Sequence, residues 1–326
     1  MFVIIKIRGV LTMAKLKLKK QAKIYLVFLV LLIILIVFGI KGIKTYKYHQ
    51  TYEYKFLQLN YNLDEIKILT NKFDKAKLDD LLTKEYNGNI PKLLVEKYFM
   101  LKNLDRYLAY IEKNPSKSIS EVVSLVNVNR DRDFYVDPIT TDTSKGNAML
   151  VNKYHSLSKD FEASDIVKVS STYAYSGMSL NKEAYDAFKR LADDAKKEGY
   201  TIVILSSYRT YDYQEKLWTD RKNKSGIEKA DAYAARAGSS EHETGLAIDV
   251  ADYNNPINFG EQEAYTWMLN NSYKYGYILR YPEGKEDITG YDYEAWHYRY
   301  LGVDLATRVY NEGITFDEYY EFYLNK

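Results

Sequence analysis

Residues Ile24 to Ile40, IYLVFLVLLIILIVFGI, form an apolar run of 17 without a charge, which predicts one helix at the short end of what crosses a bilayer. Lysines from Lys15 to Lys23 precede it, and it exits into KGIKTYKY with no small-residue cleavage pattern. That arrangement predicts an uncleaved signal anchor: residues 1–23 a basic cytoplasmic tail, 24–40 the span, and everything beyond outside the membrane. A cleaved signal peptide is the alternative. A start at Met13 would only shorten the tail.

From Asn62 to about Lys113 apolar and aromatic residues recur at three and four spacing in NLDEIKILTNKF, DKAKLDDLLTKEY and IPKLLVEKYFMLKNLDRYLAYIEKN, the period of amphipathic helices. The stretch 41–130 therefore reads as a small helical stalk or spacer. Pro and Ser in KNPSKSIS and the polar connector NVNRDRDFYVDPITTDTSKGN break the pattern, placing a domain boundary near Asn129 and a second domain over 131–326. There, NKEAYDAFKRLADDAKKEG sets Ala184, Phe188, Leu191 and Ala195 on one helical face and stops at Gly199. YTIVILSSYR, GLAIDVAD, YGYILRYP and EAWHYRYLG read as strands. YDYQEKLWTDRK, EKADAYAARAG, EQEAYTWMLNNSYKYG and the two closing segments VDLATRVYNEG and TFDEYYEFYLNK read as helices. The expected fold class is α+β, a small antiparallel sheet with flanking helices, preceded by the membrane helix and the helical region.

Charge alters one inference. The net charge of +2 hides an uneven split, because the first 50 residues hold ten Lys and Arg and no acid, leaving 36 basic against 44 acidic residues afterwards, a net of −8. The basic balance belongs to the tail and gives no nucleic-acid signature. Cysteine is absent, which excludes disulfides, thiolate metal sites and a cysteine nucleophile.

Alternation in GLAIDVAD sends Leu246, Ile248 and Val250 to one face and Ala247, Asp249 and Ala251 to the other. A carboxylate there needs a cation or several donors. His242, across Gly245, and His297, in EAWHYRY, can complete a His, Asp, His set that suits Zn²⁺ and leaves a fourth position for water. Glu294, three residues before His297, is then a candidate general base. Taken singly, Asp249 reads as an ion-paired carboxylate and His297 as a hydrogen-bonded core histidine. His49 and His155 read as surface histidines. Arg280 and Tyr291 are divided between the cleft and ordinary packing or surface pairing, and Trp296 reads as a wall of the pocket.

Ser240, His242, Gly245, Ala247 and Asp249 match the pattern S-x-H-x-x-G-x-A-x-D, Glu294 to His297 match E-x-W-H, and SSYRTYDYQ upstream matches S-x-Y-R…Q. In that order they resemble the zinc D-alanyl-D-alanine carboxypeptidases of the VanY type, within the wider group that includes D-Ala-D-Ala dipeptidases and the hedgehog domain. The resemblance covers residues 131–326 and is silent on the stalk. It implies zinc held by His242, Asp249 and His297, Glu294 as catalytic base, Arg209 as the cation that contacts substrate and developing oxyanion, and Ser240 and Gln214 along the substrate cleft. The implied activity is removal of the C-terminal D-alanine from peptidoglycan stem peptides by a membrane-held enzyme. An L,D-carboxypeptidase, a cross-link endopeptidase and a non-catalytic zinc-stabilised module use the same ligands. A non-haem iron oxygenase would be separated by metal content. Oligomeric state is not legible.

Overall fold

The computed structural model describes residues 20–175 and 177–325, so the basic tail expected over 1–23 lies almost wholly outside the described residues. The chain divides into two compact units, Met1–Leu94 and Val95–Lys326.

In the first unit, α1 (Lys20–His49) contains the apolar run and continues past it, so that Lys23–His49 is long and apolar enough to cross a membrane. Four short helices follow: α2 (Tyr52–Gln58), α3 (Leu63–Lys72), α4 (Lys75–Leu81) and α5 (Asn89–Leu94). Asn62 and Glu65 form a reciprocal capping box at the start of α3, and Asp74 caps α4, which satisfies N–H groups that a helix start leaves open. Ile66 and Leu69 of α3 and Leu78 and Leu81 of α4 are the buried stripe that the spacing predicts.

The second unit begins inside the segment expected to be continuous helix. Between α5 and α6 (Leu104–Lys113) the backbone is irregular apart from a single 3₁₀ turn. There the main chain finds side-chain partners: Asn127 donates to Tyr98 O at 2.9 Å, and Met100 N–H donates to the Tyr107 hydroxyl at 3.2 Å. These bonds stand in for helical ones. Next comes α7 (Ile119–Asn127), which the Pro and Ser content of KNPSKSIS concealed; its signal was Ser118 and Glu121, which form a second capping box. This segment packs on the end of the chain, with Tyr98 stacked on Phe322 at 4.0 Å and Lys117 paired with Asp287 at 3.1 Å. Residues 95–130 thus fall in the unit that carries the motifs.

The strands β1 (Ile139–Thr140) and β2 (His155–Ser156) pair in parallel, and β3 (Ile166–Lys168) pairs with β4 (Ser179–Asn181) antiparallel. Then come α8 (Lys182–Lys197), β5 (Ile202–Ser206), α9 (Tyr211–Ser225), α10 (Ile227–Tyr233), β6 (Ala247–Asp252), α11 (Glu263–Asn271), β7 (Tyr277–Leu279), α12 (Glu286–Thr289), β8 (His297–Tyr300), α13 (Val303–Glu312) and α14 (Phe316–Tyr319). Strands β5, β6, β8 and β7 form one antiparallel sheet in that spatial order. The fold is α+β, with helices on the sheet's apolar face. Ile248, Val250, Tyr298 and Tyr300 pack there against Phe188 and Leu191 of α8 and Trp267 and Met268 of α11. The four residues expected on the inner face of α8 are fully buried.

One expectation is corrected. His155 is buried, not on the surface: its Nδ1 lies 3.3 Å from Asn152 Oδ1 and its Nε2 3.6 Å from Glu321 Oε1. Pairing of β2 with β1 draws it inward, a long-range effect invisible in NKYHSLSKD. Of the readings open for Arg280, packing is the one the fold takes: it is 1 % exposed and held by the carboxylates of Glu241 and Asp317.

The packing of 95–130 on the chain end has a measurable consequence. A fragment beginning at Val95 is expected to be more stable than one beginning at residue 131 by at least about 2 kcal/mol, the transfer cost of re-exposing one Phe side chain. Urea denaturation compares them; equal stabilities would show that the helical segment folds independently of the rest.

Candidate active site

Register places the central pair. Asp249 of β6 lies opposite His297 of β8, and the flanking bond from Val250 N–H to Trp296 O, 3.0 Å, marks a non-hydrogen-bonded pair, the type with closer side chains. His297 Nδ1 is 3.1 Å from Asp249 Oδ1. His242 arrives from a 3₁₀ turn, Glu241–Thr244, which ends at Gly245 with φ +70°. A side chain there would be strained by the backbone and would meet Ile166 Cδ1 at 2.5 Å. His242 Nε2 stands 3.5 Å from Asp249 Oδ2, while its Nδ1 is 2.8 Å from Ser207 O. That contact fixes Nδ1 as the protonated nitrogen and leaves Nε2 as a ligand atom. Ligand atoms of His242, Asp249 and His297 all fall within 4.8 Å of one another. Asp249 Oδ1 has no hydrogen-bond partner among the described residues, as expected of an oxygen that a cation would satisfy.

Glu294 reaches the same point from a turn in which His297 N–H donates to Glu294 O at 3.3 Å. Its Oε2 is 3.6 Å from His297 Nδ1. Arg209 follows a register shift in β5 between Ile204 and Ser206, which re-aims the chain. Its Nη2 donates to Ser206 Oγ at 2.7 Å and lies 3.5 Å from Asp249 Oδ2, and its Nη1 donates to Gln214 Oε1 at 3.2 Å. Gln214 is anchored in turn by donating to Ala235 O at 2.8 Å. A cavity of about 370 Å³ opens over the group, and Ser240 and Trp296 line it with Arg209, Gln214 and Glu294. All eight residues singled out in the sequence therefore meet at one cavity.

The VanY family model, D-alanyl-D-alanine carboxypeptidase, matches residues 177–303. YodJ of Bacillus subtilis (strain 168) is 39% identical over 195 residues, 57% of this chain and 71% of that protein. The bifunctional D-Ala-D-Ala dipeptidase and D-Ala-D-Ala carboxypeptidase VanXYC of Enterococcus gallinarum is 32% identical over 182 residues, 53% of this chain and 93% of that protein. The chain belongs to the VanY family. Among solved structures, that of the LdcB LD-carboxypeptidase is similar with a TM-score of 0.54 and 38% identity, over 58% of this chain and 94% of that one.

The VanY motifs carry more than the sequence reading drew from them. Glu241, between Ser240 and His242, is fully buried and holds Arg280 at 2.7 Å and Arg299 at 2.9 Å. Alternation in HYRY already put Arg299 on the face of His297, and a buried arginine demands an acid; that was the available signal. The Tyr281 ring lies tilted against His297 with centroids 4.8 Å apart, and Tyr281, Tyr291, Arg221 and Tyr233 also line the cavity.

The electrostatics separate these groups. Burial raises Glu294 to about 7, with nearby His297 opposing. Asp249, despite burial, is held well below the carboxylate range by both histidines. Burial lowers His242. Burial also disfavours charge on His297, but the carboxylates of Asp249 and Glu241 that face its two nitrogens outweigh it and raise this ring to about 9. A cation at the trio therefore competes with one proton, that on His297 Nδ1. Below about 9 the proton must leave, so metal affinity is expected to rise with pH by up to about tenfold per unit and to level off above that value. Chelator competition at stepped pH measures it, and a pH-independent affinity between 6 and 8 would contradict the assignment.

Proposed function

We propose that this chain is a zinc-dependent D,D-carboxypeptidase that removes the C-terminal D-alanine from peptidoglycan stem peptides. The observation that carries the reading is the convergence of His242, Asp249 and His297 with Glu294 and Arg209 at one cavity in a chain of the VanY family. Two imidazoles and a carboxylate form a donor set suited to zinc, with room for a fourth ligand. Bound there, zinc would supply a Lewis acid for the scissile carbonyl and acidify a water.

The protein's own groups perform the proton work. Glu294, raised to about 7, is basic enough to accept a proton from the attacking water and acidic enough to return it to the amine of the departing D-alanine. Water oxygen bonds to the carbonyl carbon, the C–N bond breaks, and the proton count closes through this one carboxylate. Arg209, held by Ser206 and Gln214, keeps a fixed positive charge beside the carbonyl oxygen as it becomes anionic. Ser240 and Gln214 contact the peptide, and Trp296 walls the cleft.

A second reading has one observation in its favour, the likeness to the LdcB LD-carboxypeptidase. Zinc-loaded protein incubated with muropeptides ending in L-Lys-D-Ala-D-Ala and in L-Lys-D-Ala separates the two by product mass. Loss of one alanine from the pentapeptide alone is expected; loss from the tetrapeptide would move the assignment to the L,D class. In the same assay Glu294→Gln is expected to lower kcat by about 10²–10⁴ with zinc content unchanged, and full activity would remove Glu294 from the mechanism.

The α1 helix anchors the enzyme with its C-terminal unit on the outer face of the membrane, where its substrate lies. The lysines preceding α1 support this orientation. Because the chain has no cysteine, a single Ser225→Cys substitution on the exposed end of α9 reports sidedness. Labelling by a membrane-impermeant maleimide in intact cells is expected, and labelling only after lysis would reverse the topology.

A further inference from the structure

We propose that Glu241 is the positioning residue for His297, fixing which nitrogen of that ring is free to bind metal. The proposal rests on the reading of His242, Asp249 and His297 as a metal site. Its basis is a pair of unsatisfied atoms. Glu241 Oε1 accepts from Arg280 Nε and Arg299 Nη1. Among the described residues, neither Glu241 Oε2 nor His297 Nε2, both buried, has a hydrogen-bond partner. The two stand 3.5 Å apart. An acceptor facing a ring nitrogen in a buried space is satisfied only if that nitrogen carries the proton. Nε2–H then points at Glu241, and the Nδ1 lone pair points toward Asp249 and Glu294, 3.1 and 3.6 Å away.

His242 has the opposite arrangement, with Nδ1 tied to Ser207 O and Nε2 facing Asp249. The two rings therefore offer different nitrogens, each selected by the partner behind it. For His242 that partner is a neutral carbonyl. For His297 it is a carboxylate, which also makes the ring a stronger donor to a metal.

Glu241 is itself held firmly. Arg280 is gripped on its far side by Asp317, which accepts from Nη1 at 2.5 Å and from Nη2 at 3.1 Å. Arg299 donates Nη2 to Asn147 O at 3.0 Å and Met149 O at 2.8 Å. Glu241 also shares the 3₁₀ turn of His242, so one turn supplies the first ligand and orients the third.

The test measures zinc affinity of the full chain in detergent by chelator competition, together with the visible spectrum of the Co²⁺-substituted protein. Glu241→Asp keeps the charge that the two arginines require and withdraws the carboxylate from His297, whereas Glu241→Gln would remove the negative charge opposite two buried guanidiniums. Asp317→Asn is the structural control, because it loosens Arg280 without touching the Glu241–His297 pair. Glu241→Asp is expected to weaken zinc binding by about 10–100-fold and shift the Co²⁺ bands, and Asp317→Asn to lower thermal stability with affinity changed by less than about threefold. Wild-type affinity in Glu241→Asp would overturn the proposal, as would an equal loss of affinity in Asp317→Asn. Failure of the unaltered protein to bind zinc would instead sink the metal reading itself.

Discussion

The pairing of Asp249 with His297 across β6 and β8 is the constraint on which the site depends. A single register sends Ile248, Val250, Tyr298 and Tyr300 into the apolar core and leaves Ala247, Asp249, His297 and Arg299 on the other face. Slipping β8 by one residue would turn Tyr298 and Tyr300 outward and drive His297 and Arg299 into the apolar core. The hydrophobic effect that builds the sheet thus also sets the distance between two candidate ligands. Alanines at 247 and 251, both fully buried, are the small residues that flank Asp249 on the same face of β6.

That face holds several carboxylates, and their surroundings give them different work. Glu241 and Asp317 share Arg280 and Arg299 in a buried cluster with equal numbers of acids and bases. Such a cluster adds little net stability, because desolvation offsets the attraction, but losing one member leaves a buried charge unpaired. Its contribution is geometric. Glu294 has no guanidinium within ion-pair distance among the described residues, and burial sets its proton affinity instead. A permanently ionised carboxylate orients, whereas one that titrates near neutrality exchanges protons.

Much of this was legible locally. The periods of α8 and β6 identified the core faces of both, and the spaced motifs named eight residues that meet at one cavity. What escaped depends on long-range pairing. The acids that Arg299 and Arg280 require are invisible in HYRY and YILRYP, because Glu241 and Asp317 come from elements distant in the chain. Glu241 looks like a spacer between two motif positions, because its partners lie 39 and 58 residues away. His155 became buried through β1 and β2, whose pairing no alternation announced. The helix expected through Val95 to Met100 gave way because Asn127 and Tyr107 offered its backbone other partners.

The same long-range contacts give the segment 95–130 a role beyond spacing. Ser124 of α7 donates to Glu318, and Tyr98 stacks on Phe322. Glu318 and Asp317 are adjacent in α14, and Asp317 holds Arg280, which holds Glu241 beside His297. A series of contacts therefore runs from the helical segment, through the end of the chain, to a residue behind the candidate metal site. Displacement of α14 would loosen Arg280 from Asp317, while Arg299 keeps its own bond to Glu241 Oε1 and holds that carboxylate facing His297. In this architecture α14 compensates the buried charge of Arg280 behind the site, and α7 is tied to α14 through Ser124 and Glu318.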